Sequence, residues 1–148
     1  SKTNFKSVEW NCRTIELNLF TTTEGRSGTF ELVSRLMANV YKNVQAVITS
    51  SGSDDPMYTC PDATTAVIKT IRIYNIHGSS LAVTTTVYDS SSTTDFKYDT
   101  STCVASDSLD ILTFNNVIVL EAGDILKMQT PTGNKIEMTA SVLEISRS

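Results

Sequence analysis

Two carboxylates, Glu121 and Asp124, stand three residues apart in the stretch LEAGDILKMQT. A carboxylate pair does general acid and base work when a pocket drives its two pKa values apart. These two flank Gly123 between apolar runs, where carboxylates ordinarily stay solvated and cap backbone N–H groups. The pair therefore reads as turn punctuation. His77 is the only histidine, set in the loop IHGSS. A Ser-His-Asp triad or a metal site built on it would draw on Ser79, Ser80 and Asp89. Serine-rich loops recur throughout this chain, so that proximity has little weight, and a solvated loop histidine is the plainer assignment. No GxSxG, HExxH or phosphate-binding loop occurs.

The remaining candidates fare no better. Asp54, Asp55, Asp62, Asp89, Asp95, Asp99, Asp107 and Asp110 fall mostly in expected loops, without the DxDxDG spacing of a calcium loop. Cys12, Cys60 and Cys103 make an odd count with no paired spacing, which excludes a disulfide framework and a zinc ribbon. Reduced, partly buried thiols are the default, with a Cys60–Cys103 bridge as the alternative. Tyr58, Tyr74, Tyr88, Phe96 and Tyr98 are the aromatic candidates for stacking on sugar. In strands such residues more often pack as half-buried cross-strand partners, and that is the expectation. No catalytic, cofactor-binding or metal-ligating residue is assigned, and no cofactor is implied.

The elements that carry these residues are strands. From residue 41 onward apolar and polar residues alternate between short turns. Val44, Ala46 and Ile48 share one face of a first strand over 41–50, and 57–61 forms a short second one. The strongest element spans Thr64–Asn75, with Val67, Ile68, Ile71 and Ile73. Leu81–Asp89 follows after IHGSS, then a short strand over 95–100 with Phe96 and Tyr98 on one face. Residues 101–108 read as a long connection. Strands over 109–114, 115–120, 125–130 and 135–146 complete the series, with Gly123 supplying a positive φ between two of them. Turns about every ten residues, with little helix, predict an all-β fold: an antiparallel β-sandwich, jelly-roll-like. The apolar set in 136–145 predicts a strand buried on both faces.

Composition narrows the partners. The 148 residues carry a net charge of −4 and no Lys/Arg cluster, which argues against nucleic acid as a partner. No apolar run reaches the roughly 18 residues of a membrane helix, so no membrane partner is expected. Residues 1–36 contain no alanine and are slightly basic, unlike the acidic remainder. They are an N-terminal extension or assembly arm, or sequence upstream of a natural start at Met37. Residues 37–148 form the sandwich domain.

This domain carries MANVYKNVQAVIT, YTCPDATTAVIKTIRIYN, VTTTVYDSSST, VIVLEAGDILKMQT and IEMTASVLEIS. On these stretches residues 37–148 resemble small β-sandwich virion structural proteins of tailed bacteriophages, of the marine and cyanobacterial type. The resemblance implies a non-enzymatic subunit in a tail, fibre, neck or capsid-decorating position. It further implies a homo-oligomer meeting other virion proteins, located in the virion after assembly in the host cytoplasm. Association through an exposed sheet face or edge is expected. The alternative is a carbohydrate-binding or host-attachment module, with loops 50–55, 77–80 and 89–94 recognising host-surface glycan.

Overall fold

A computed structural model describes residues 38–146 of the chain. Both readings of residues 1–36 lie outside the described residues, as does Cys12. Nine strands follow one another: β1 (Asn39–Val47), β2 (Asp55–Thr59), β3 (Thr64–Asn75), β4 (Leu81–Asp89), β5 (Thr94–Cys103), β6 (Ser108–Leu112), β7 (Ile118–Leu120), β8 (Ile125–Gln129) and β9 (Ile136–Ser146). They form two antiparallel sheets, one in the order β1-β9-β3-β6 with β7 also on β3, the other β2-β8-β4-β5. β6 and β7 pair with the two halves of β3, so together they act as one interrupted strand. Counted that way, the orders are 1-8-3-6 and 2-7-4-5, the jelly-roll arrangement of two interlocked Greek keys.

The core lies between the sheets. Ile48, Ile68, Ile71, Ile73, Leu126, Met128, Ile136 and Ala140 are fully buried there, and Leu112, Met138 and Val142 nearly so. Burying each large aliphatic side chain contributes about 1.5–3 kcal/mol. β9 is a central strand, lying between β1 and β3, but contrary to expectation it is buried on one face only, with Glu137 and Thr139 exposed on the other. Its even positions face the core, whereas Leu143 and Ile145 lie half-buried on the opposite face.

One bulge explains why β3 does not alternate cleanly. Ile68 pairs with Val142 and Thr70 with Ser141, leaving Lys69 as an inserted residue. The insertion shifts the parity of inward residues. Ala66 and Ile68 point inward before it; Ile71, Ile73 and Asn75 do so after it.

Several expectations need correction, beginning with the second strand, which is Asp55–Thr59 rather than 57–61, and the expected strand over 115–120, which narrows to Ile118–Leu120. Residues 101–103 are not connection: β5 continues to Cys103, pairing with β4 as far as Leu81. Nor are all the aromatics packed. Tyr58 is buried and Tyr88 half-buried, but Phe96, Tyr98 and Tyr74 are exposed. β5 is an edge strand, and Tyr98 is the inserted residue of its bulge, so neither Phe96 nor Tyr98 has strands on both sides.

Candidate assembly surface

The residues singled out for chemistry are dispersed. Asp124 is buried, contrary to the solvated reading, yet its role is to cap. Its carboxylate accepts from Glu121 N–H at 2.9 Å and from the Ser90 N–H and hydroxyl at 2.9 Å each. It thereby ties the 121–124 turn to the 90–93 turn. Gly123 has φ 87°, as that turn requires. His77 Nδ1 lies 2.7 Å from the Ser79 hydroxyl and accepts the Ser79 N–H, and among the described residues no carboxylate hydrogen-bonds to it. Asp55 is likewise a buried cap: it accepts from the N–H and hydroxyl groups of Thr49 and Ser50. Hydrogen bonds from Ser50, then Thr49, hold its carboxyl below the usual range. Among the described residues no group of three or more His, Cys, Asp and Glu side chains is placed to hold a metal ion.

Cys60 and Cys103 are free and buried. Cys60 Sγ donates to the Thr64 and Leu120 carbonyls at 3.4 and 3.5 Å, and Cys103 Sγ to that of Asp107 at 3.3 Å. Burial pushes both thiols up. The three loops proposed to meet glycan do not converge. Residues 50–55 and 76–80 share one end with 130–135, through the Gly52–Thr130 and Ile76–Lys135 backbone bonds. Residues 89–94 sit at the other end, joined to 121–124 through Asp124.

What the fold assembles instead is a surface. Tyr41 pairs with Leu143, Leu143 with Val67, and Val67 with Val119. These four side chains share the outer face of the larger sheet and form one cross-strand row over β1, β9, β3 and β7. Tyr41 is 69% exposed and Val119 56%. Ile145, half-buried in β9 two residues beyond Leu143, extends the apolar area. Beside the row lies a shallow groove of about 250 Å³, lined by Tyr41, Asn43, Lys69 and Ser141 among others. The inserted Lys69 places its ammonium 5.4 Å from the Tyr41 ring centre, a cation–π distance. The other half of the face is mixed: Arg72 is bonded to Asp110 at 3.4 Å and to Ser108 at 2.7 Å, beside the exposed Tyr74 and Val47. Sequence reading passed over Tyr41, because an outward position in an alternating strand is indistinguishable from ordinary solvated surface. The one available signal was that β1, β9, β3 and β7 each set an apolar residue on the outer face.

On the inner side of the same strands, a polar clasp joins the sheets. Tyr58 of β2 donates its hydroxyl to Glu144 Oε1 at 2.6 Å, and the Lys42 ammonium contacts the same oxygen. Burial and the Glu144 charge push the Tyr58 phenol up. Burial alone would raise Glu144, but hydrogen bonds from Lys42 and Tyr58 outweigh it and hold the carboxyl below its ordinary value.

No protein-family model and no curated protein sequence matches the chain. Among solved structures, the fold is similar to that of Bacillus endospore appendages, described as a novel family of disulfide-linked pili. The two chains are 11% identical with a TM-score of 0.51, over 82% of this chain and 100% of that one. A looser similarity, TM-score 0.44 and 10% identity, is to the virus-like particle of the extra small virus of the prawn Macrobrachium rosenbergii, covering 88% of this chain and 97% of that one. A third, TM-score 0.36 and 12% identity, is to the CBM22-1–GH10 modules of Clostridium thermocellum xylanase 10B, where 77% of this chain spans 28% of the other.

Proposed function

We propose that the chain is a non-enzymatic structural subunit of a tailed-phage virion, in a tail, fibre, neck or capsid-decorating position. The observation that carries this is the apolar row Tyr41–Leu143–Val67–Val119 on the outer face of one sheet, with Tyr41 and Val119 exposed, Leu143 and Val67 half-buried, and no strand among the described residues packed over it. A sheet face with contiguous exposed apolar side chains marks an interaction surface. The buried or half-buried carboxylates Asp55, Asp124 and Glu144, by contrast, are spent on turns and on the clasp between sheets. A similar fold occurs in the Bacillus endospore appendages, described as disulfide-linked pili, so the fold is compatible with assembly from repeated copies.

The experiment is sedimentation velocity on the full chain and on a Tyr41→Ser/Val119→Ser double variant. Both positions are solvent-facing, so folding is expected to persist. Self-association should weaken at least tenfold. Association unchanged in the variant would contradict the role given to this face.

A second reading, a glycan-binding module, is favoured by the groove beside Tyr41, where an aromatic ring meets the Asn43 and Ser141 side chains. It requires Lys69 to leave the ring face. Oligosaccharide binding abolished by Tyr41→Ser would move the assignment to this reading.

A further inference from the structure

The two sheets have four edges, and three of them are blunted. β2 is five residues long, contains Pro56 and is bulged after it. β5 is bulged at Tyr98 and carries Asp95, Lys97 and Asp99. The β6–β7 edge is interrupted by residues 113–117. Short strands, bulges, proline and charge are the devices by which sheets avoid joining one another. β1 lacks the first three. It keeps nine consecutive pairs with β9, without bulge or proline. Its single charge, Lys42, is neutralised by an ion pair with Glu144 of the same subunit, although its side chain stays 39% exposed.

Two bonds fix which way its backbone points. Ser146 N–H donates to the Ala38 carbonyl, and Ile48 N–H donates to the Ile136 carbonyl. In an antiparallel ladder alternate residues direct both N–H and C=O to the same side. The even-numbered residues therefore bond to β9. Asn39, Tyr41, Asn43, Gln45 and Val47 turn five N–H and five C=O groups to the open edge, and β9 is the one strand paired with β1 among the described residues.

We propose that this edge pairs with the same edge of a second copy, β1 against β1, antiparallel about a two-fold axis through Asn43; the proposal rests on the structural-subunit reading. In that register Asn39 faces the partner's Val47, Tyr41 faces the partner's Gln45, and the two Asn43 residues face each other. All five outward residues of each strand are then bonded. Lys42 lies opposite the partner's Val44. Moving the axis to Lys42 would oppose two ammonium groups, which destabilises a strand pair. Moving it to Val44 would leave Asn39 without a partner in the strand. The interface is isologous and closed. It joins two five-stranded sheets into one of ten strands. Both apolar rows then lie on the same continuous face, doubling the surface assigned to assembly.

The test uses the full chain. Hydrogen-bonded antiparallel pairs hold their Cα atoms about 5.5 Å apart, within disulfide reach. Asn43→Cys should therefore give a 43–43 cross-linked dimer under mild oxidation, identified by peptide mapping. Gln45→Cys alone should not, whereas Tyr41→Cys combined with Gln45→Cys should. Asn43→Pro removes an N–H from the open edge, where proline is tolerated in an edge strand. It should halve the mass seen by light scattering while unfolding temperature changes little. Should the proline variant fail to fold, the cysteine pattern decides. Equal cross-linking at 43 and 45, no cross-linking at 43, or a folded Asn43→Pro that keeps the wild-type mass would overturn the proposal. Copies that associate without β1 would leave the subunit reading standing; a wild-type chain that stays monomeric would overturn both.

Discussion

Removing the Tyr58 hydroxyl tests how the two sheets are held together beside β1. Tyr58→Phe keeps the ring in its buried position and deletes one hydrogen bond to an ionised carboxylate, 2.6 Å long. Such bonds contribute about 1.5–3 kcal/mol net. The Glu144 side chain remains 14% exposed and keeps Lys42 as a partner, which places the loss near the lower end. About 1.5 kcal/mol, at roughly 4 °C per kcal/mol for a domain of this size, lowers Tm by about 6 °C. The pH dependence has a definite sign. Glu144 is held below its ordinary value of 4.5. Its contribution is therefore fully present above that value and is lost as pH falls through the folded pKa. The assay is urea denaturation of wild type, Tyr58→Phe, Glu144→Gln and the double variant at neutral pH, repeated in acid. The Tyr58→Phe cost should shrink in acid, and the cycle at neutral pH should show coupling of about 1 kcal/mol. A cost under about 0.3 kcal/mol at neutral pH, or one identical in acid, would refute the clasp.

Two further predictions concern the end of the sandwich that holds residues 50–55. Asp55→Asn converts an acceptor of four hydrogen bonds into a group with one acceptor oxygen, and should cost about 2–3 kcal/mol in urea denaturation at neutral pH. Because the Asp55 carboxyl is held low, that cost should decline below about pH 4. Gly133→Ala places a Cβ 2.1 Å from the Thr49 carbonyl oxygen, which must move. A loss of about 1–3 kcal/mol should appear as a lowered Tm, and an unchanged Tm would mean that the 130–135 loop yields freely.

The sequence made the strands legible wherever local pattern decides them. Thr64–Asn75 and Leu81–Asp89 match the structure at both ends, because their β-branched runs are bounded by turn residues. β5 ran past its expected end because Ser101 and Thr102 look like loop residues. They are strand because β4 pairs with them, and that partner is distant in sequence. The jelly-roll order follows from long-range pairing and was visible only as a class of sandwich. Asp124 looked solvated because Ser90, which desolvates and satisfies it, lies 34 residues away. The apolar row escaped notice for a related reason. Tyr41, Leu143, Val67 and Val119 become neighbours only through three strand registers, and no one strand shows the surface they form together.

The central claim is that this sandwich is built to associate with copies of itself. The most direct measurement is the mass of the full chain by light scattering across a wide range of concentration. The predicted result is a discrete oligomer, an even multiple of the 16.2 kDa subunit, whose mass falls on substitution at β1. A mass of 16.2 kDa at every concentration would contradict it.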